Sequence, residues 1–228
     1  MHFKIDGQHR FKLQIWDAIQ DELRLTHILN VGKGDCVYVS GQRDECVYCI
    51  ESGQVKLVFF TPEGRECVLA IRTEGDIIGE LCLAGQRLRA QTAVVMNDSR
   101  IKAIPYLALL KVLKDKSLLE GMIQYLAGCI AEQQEMIGLL LSANSEQRLA
   151  NMFLRLGAVF GTSDSRGNIT IPRILFEDLA AMVGTTRSRV GFFIKQFHAN
   201  GLVNVNADHS LTLEAEKLRN FAARSAFA

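Results

Sequence analysis

Hydrophobic and polar positions along this chain fall into successive textures. Leu13, Ile15, Trp16, Ile19 and Leu23 lie close to a 3.6-residue period, which predicts a helix over residues 12–26. From about 28 to 104, short apolar runs (CVYV, CVYCI, VKLVFF, CVLAI, TAVVM) are separated by turn signals: GKGD, GQRD, ESGQ, TPEG, TEGD, AGQR and MNDS. Runs of that length with turns roughly every ten residues predict an antiparallel β domain, a sandwich or barrel.

After Pro105 the period becomes helical again. The segment 117–141 lacks proline, and its apolar residues recur at 119, 122, 126, 129, 136 and 140. Gln133 fills the one gap in an alternating three-four spacing, the pattern of a two-stranded coiled-coil seam with one polar residue fixing register. A helix packed on its own domain needs a similar stripe, but strict alternation favours the seam. SANSEQ (142–147) then reads as a cap and hinge, with Ser145 capping a helix over 146–160. A polar loop, GTSDSRGN, and a short strand, ITIP, follow.

The stretch LFEDLAAMVGTTRSRVGFFIK (175–195) has the spacing of a helix-turn-helix. Ala180 is small enough for close crossing, Gly184 suits the turn, and Val190 locks the second helix. Leu179, Val183, Thr185 and Phe193 then face the core. Thr186, Arg187, Ser188, Gly191, Phe192 and Lys195 face outward, as on a helix that enters the major groove. Arg187 is placed to reach guanine O6 and N7. Arg189 and Lys195 suit phosphates, and Thr186 caps the helix. Phe192 stays open between packing on the fold and meeting a thymine methyl. Downstream, GLVNVNADHSLTL reads as two strands around a turn, the wing of a winged helix.

Charge supports that placement. Residues 1–144 hold 16 Lys/Arg and 18 Asp/Glu, a balance of −2; residues 145–228 hold 10 and 7, a balance of +3. The basic excess lies with the helix-turn-helix, where nucleic acid is the partner to expect. No apolar run reaches the roughly 18 residues of a membrane span, and the polar start MHFKIDGQHRFK has no signal-peptide character. Reduced thiols and a cytoplasmic location are expected. Cys46 and Cys49 form one CxxC inside a strand-like run, where an offset of three puts them on opposite faces and favours a structural role over a redox or iron–sulfur one. No metal site is expected. Ser-His-Asp, metal-cluster and Walker patterns are all lacking, so the chain does not read as an enzyme.

One stretch of the β region asks for chemistry. GELCLAGQRLRAQT (79–92) sets Glu80 and Arg89 nine residues apart around a glycine-rich bend. A sugar phosphate explains the pair, with Glu80 accepting from a ribose hydroxyl and Arg89 pairing with the phosphate. So does a structural ion pair between the two.

GxxxY at 34–38, IESGQVKL, EGDIIGEL, RAQT and VGTTRSRV, in this order, resemble the bacterial transcription regulators of the cAMP receptor protein and fumarate–nitrate reductase regulator family, over almost the whole chain. The resemblance implies an α+β chain: an N-terminal antiparallel β-roll of the cyclic-nucleotide-binding jelly-roll type, a long dimerisation helix and a C-terminal winged helix-turn-helix. The parts would be residues 1–115, 116–144 and 145–228. It implies a homodimer through 117–141, double-stranded DNA and RNA polymerase as partners, and cAMP or cGMP as effector with no covalent cofactor. Gly79, Glu80 and Leu81 would hold the ribose. Arg89 would take the cyclic phosphate with the Ala90 N–H, Thr92 would add a hydroxyl, and Gln133 and Gln134 would face the base. The alternative within the family is effector-independent, with Glu80 and Arg89 paired. The oxygen-sensing branch carries a cysteine cluster before its β domain, whereas the first cysteine here is Cys36. The haem-sensing branch needs an axial histidine, and no histidine lies between 28 and 197.

Overall fold

A computed structural model describes residues 5–21 and 27–223, and it divides into two compact units, 1–134 and 135–228. In the first unit, helix α1 (Ile5–Asp21) precedes a sheet of strands β1 (His27–Val31), β2 (Cys36–Tyr38), β3 (Cys46–Phe60), β4 (Glu66–Thr73), β5 (Ile77–Ile78) and β6 (Thr92–Pro105). A 3-10 helix, Glu80–Ala84, interrupts the strands after β5. Helix α2 (Tyr106–Asp115) follows, and then α3 (Leu119–Ser142), whose residues from 135 onward belong to the second unit. The strand order is β1-β6-β3-β4, with β2 also on β6 and β5 also on β3. All pairings are antiparallel.

Two of the expected turns are strand interiors. ESGQ lies inside β3 and MNDS inside β6, and these strands pair through both. The register shifts between Ile50 and Val55 instead, so the long strands bend without separating. Gly53 makes the bend: its φ is +99, and a Cβ there would lie 2.0 Å from Ser99 Oγ.

The α1 helix begins before the residue-12 start that periodicity gives, and Leu23 lies outside the described residues. Phe11, Ile15 and Ile19 of α1 join Leu109 and Leu113 of α2, and Met122, Tyr125 and Cys129 of α3, in one buried cluster. Cys49 belongs to that cluster, whereas Cys46 packs against the second, which Tyr38, Tyr48, Ile50, Val55 and Ile101 build inside the roll. The two cysteines therefore do face opposite ways. Burial pushes the Cys49 thiol up to about 12.

The stripe read along α3 combines inward and outward positions. Met122 and Cys129, two of its members, are buried in the unit's own core. The exposed alternating series is Ile123, Ala127, Ile130, Gln134, Ile137 and Leu141. The helix is apolar on two faces, and the sequence stripe mixed them.

In the second unit, α4 (Ser145–Phe160) leads to β7 (Thr162–Ser163), β8 (Ile169–Ile171), α5 (Phe176–Val183), α6 (Arg187–Ala199), β9 (Val203–Val205), β10 (Leu211–Leu213) and α7 (Ala215–Ala222). Asn144, not Ser145, caps α4. Its side chain accepts from Gln147 N–H while the Gln147 side chain accepts from Asn144 N–H, a capping box. Ser145 is instead the buried first helical residue. The sheet order is β7-β8-β10-β9, with β9 and β10 antiparallel around the NADHS turn. Phe153 and Phe197 meet edge-on at 6.3 Å in the core, and Phe221 meets Phe197 at 5.3 Å.

Candidate effector pocket and nucleic-acid interface

Arg89 is positioned from both ends of its backbone by the turn between β2 and β3. Its N–H donates to the Gln42 carbonyl at 2.9 Å, and its own carbonyl accepts from Gly41 N–H at 2.8 Å. The side chain then runs inward between two tyrosines, with Cζ 4.4 Å from the Tyr38 ring centre and 5.4 Å from that of Tyr48. It ends on Asp44. Nε and Nη2 donate to Asp44 Oδ2 at 3.2 and 2.7 Å, and the two side chains are only 4% and 9% exposed. Nη1 donates to the Gly79 carbonyl at 2.7 Å, and Nη2 also donates to the Cys46 carbonyl.

Asp44 is equally well satisfied. Its Oδ2 also accepts from Tyr48 Oη at 2.6 Å, and Oδ1 accepts from Cys46 N–H at 2.8 Å. Burial raises the cost of its charge, but the hydrogen bonds from Tyr48 and Arg89 outweigh burial and hold the carboxyl below its ordinary value. Burial likewise opposes the Arg89 charge, and Asp44 more than restores it. Burial, reinforced by Glu80, drives the Tyr38 phenol up. This is a buried ion pair with hydrogen bonds at both ends, the form in which removing one partner is costly.

The carboxylate paired with Arg89 is thus Asp44 rather than Glu80. Glu80 opens the 3-10 helix and lines a cavity with Tyr38, Gly79, Leu81, Arg89 and Ala90. That cavity measures about 10 Å³, room for about one water. Thr92 is buried outside it, with its hydroxyl oxygen accepting from Ser40 N–H at 3.0 Å. Gln133 and Gln134 are exposed on α3 and do not line it. Asp44, Gly79 and Cys46 engage four of the five guanidinium N–H donors, so a cyclic phosphate would meet one free Nη1 hydrogen and would otherwise have to displace these partners. In this arrangement the cavity is too small for a cyclic nucleotide.

The second candidate site is the α5–α6 pair. Gly184 ends α5 at φ +65, a left-handed turn that glycine adopts without strain. Arg148 of α4 holds this turn, its Nε donating to the Val183 carbonyl at 2.8 Å and its Nη1 to that of Ala143 at 2.7 Å. Leu179, Ala180, Val183, Val190 and Phe193 are buried between the helices, and Thr185 is half-buried. Thr186 caps α6, its side chain accepting from Arg189 N–H.

All seven outward candidates lie on or at the start of α6. Thr186, Arg187, Ser188, Arg189, Phe192 and Lys195 are exposed, and Gly191 is half-buried. Ser188 Oγ lies 3.1 Å from Thr186 Oγ1, so the cap engages it. Arg189 lies over the Phe193 ring at 5.4 Å. Arg187, the guanine-reading candidate, pairs with Glu177 of α5 at 2.8 Å while both stay open to solvent. Glu177, Arg148, Asp44 and Tyr48 were not singled out by the sequence.

A β-roll joined to a winged helix-turn-helix with a basic, exposed second helix defines a DNA-binding transcription regulator. The family models agree: the model described as Cyclic nucleotide-binding domain matches residues 28–116, and that described as Crp-like helix-turn-helix domain matches 147–221. The chain belongs to the Crp/Fnr family of transcription regulators. It is 25% identical over 187 residues to the "CRP-like cAMP-activated global transcriptional regulator" of Mycobacterium tuberculosis, covering 82% of this chain and 84% of that one. It is 26% identical over 188 residues to the "Fumarate and nitrate reduction regulatory protein" of Escherichia coli K12, covering 81% and 73%. Its fold resembles a CooA mutant from Carboxydothermus hydrogenoformans, with TM-score 0.76, 21% identity and 89% and 90% coverage. FixK2 from Bradyrhizobium japonicum has TM-score 0.75, 20% identity and 88% and 99% coverage. The two sequence relatives are named as regulators, and this protein is a regulator rather than an enzyme. Among the described residues, no helix is long and apolar enough to cross a membrane.

Proposed function

We propose that this regulator binds specific duplex DNA as a homodimer, with Arg89 serving as a structural residue, so that DNA binding needs no cyclic nucleotide. The Asp44–Arg89 pair carries this reading. A cyclic phosphate is an anion competing with a carboxylate that is already buried, bonded and in place. The division of labour is residues 1–115 as the control domain, 116–144 as the dimer helix and 145–228 as the DNA-binding domain. The exposed series from Ile123 to Leu141 is the seam, with Gln134 as its polar member.

On DNA, Arg187 reads a guanine edge. Arg189, Lys195 and Thr186 meet phosphates, while Ser188 and Gly191 let the helix lie close. The protein works in the cytoplasm, and RNA polymerase is its partner at promoters. A second reading keeps cAMP or cGMP as effector. The cyclic-nucleotide family match favours it, as does the gathering of Gly79, Glu80, Leu81, Arg89 and Ala90 around one cavity. Under that reading the nucleotide must first take Arg89 from Asp44. Selection of bound sequences from random duplexes, with and without each nucleotide, tests both. Enrichment of one operator regardless of nucleotide supports the first reading, and enrichment only with nucleotide supports the second.

A further inference from the structure

The α6 helix carries an exposed aromatic ring in the middle of its basic face. Its buried side is Val190, Phe193, Ile194 and Phe197. Phe192 points elsewhere: it is 56% exposed, and it lies four residues after Ser188 and three before Lys195, on the face those two share. The ring therefore lies outside the buried core of its unit. Its one ring neighbour among the described residues is Phe193, with centres 6.0 Å apart. The residue before it is Gly191, where a Cβ would sit 3.5 Å from the Phe176 ring of α5. Phe176 is itself 37% exposed.

We propose that Phe192 is a specificity-determining residue that receives the C5-methyl group of a thymine. The inference rests on the DNA-binding reading. A phenyl ring can neither donate to a phosphate nor bond a polar base edge. The thymine methyl is the apolar group that base edges present in the major groove. Arg189 and Lys195 stand three positions before and after Phe192 on α6, and Arg187 begins the same helix, so a partner that covers the ring meets positive charge beside it, as thymine-containing DNA would. Arg187 and Phe192 together would then read a guanine and a thymine in each half-site.

The test uses the full-length protein and its selected duplex, with each thymine replaced in turn by deoxyuridine, which removes only the methyl group. One position per half-site should weaken wild-type binding by about three- to fivefold, the scale of burying one methyl group. The same replacement should change binding by less than about 1.5-fold in Phe192→Ala, because the group that felt the methyl is gone. Lys195→Ala should keep the uracil effect while lowering the salt dependence by about one phosphate. The proposal is overturned if no uracil replacement weakens wild-type binding. It is also overturned if Phe192→Ala keeps the full uracil effect. Failure of the wild type to retain any duplex instead removes the DNA-binding reading beneath it. The uracil series on the wild type requires no variant to fold.

Discussion

Asp44 Oδ2 lies 2.7 Å from Arg89 Nη2, in a site where neither side chain is more than 9% exposed. An arginine that the sequence offers to a phosphate is held by a carboxylate 45 residues upstream. Removing one member of such a pair leaves a buried, uncompensated charge. Asp44→Ala should lower unfolding free energy by about 3–5 kcal/mol, measured by urea denaturation. It should also make inorganic phosphate or cAMP raise the melting temperature of the variant, because a free anion can then take the vacated place. Asp44→Ala combined with Arg89→Ala should lose that response. An Asp44→Ala protein as stable as the wild type would show that the pair contributes nothing.

The same pair sets an acid limit. The folded-state pKa of Asp44 lies below its ordinary 3.8, despite burial, because Tyr48 and Arg89 hydrogen-bond the charged form. A depressed carboxylate contributes stability that is fully present above the unfolded value and is lost as pH falls through the folded one. The stability gap between wild type and Asp44→Asn should therefore be constant above about pH 5 and narrow below about pH 4. A gap independent of pH down to 3 would place the titration elsewhere.

The proposed dimer seam separates the two faces of α3. Ile137 is 56% exposed, whereas Met122 is 4% exposed. Ile137→Glu should weaken self-association at least about a hundredfold by sedimentation while leaving the fold intact, since it puts a charge into a seam. Met122→Glu should instead unfold the first unit, because it buries a charge without a partner. Association unchanged in Ile137→Glu would remove the proposed seam.

Glu177 bears on Arg187. Their guanidinium–carboxylate contact is exposed on both sides, 71% and 58%, so it contributes little to stability. Under the proposed DNA reading, however, its negative charge opposes the approach of a polyanion. Glu177→Gln should tighten binding about two- to fivefold at low salt, with the gain shrinking as salt rises. Weaker binding in this variant would mean that Glu177 orients Arg187 rather than restraining it.

The helix-turn-helix was legible because its signals are local. Ala180, Gly184 and Val190 fix the crossing within eleven residues, and the structure places Gly184 at the left-handed turn that spacing requires. The strands were legible by texture, but ESGQ and MNDS resemble turns only until two strands pair through them, a relationship between positions some forty residues apart. The partner of Arg89 was not legible for the same reason. Asp44 stands just before a strand, where an aspartate reads as an ordinary turn residue, and only the fold brings it to Arg89. Along α3 the stripe drew on two faces of one helix. Met122 and Ile123 are both apolar, and which of them turns inward depends on Phe11 and the rest of the core, not on α3 itself.

The most direct test of the central claim is the affinity of the wild-type protein for its selected duplex, measured by fluorescence anisotropy with and without about millimolar cAMP or cGMP. If Asp44 holds Arg89 as a structural residue, the Kd should change by less than about twofold with either nucleotide, well under the usual span of allosteric coupling. A tightening of about tenfold or more that disappears in Arg89→Ala would contradict the account, because it would mean that the nucleotide takes Arg89 from Asp44 in the working protein.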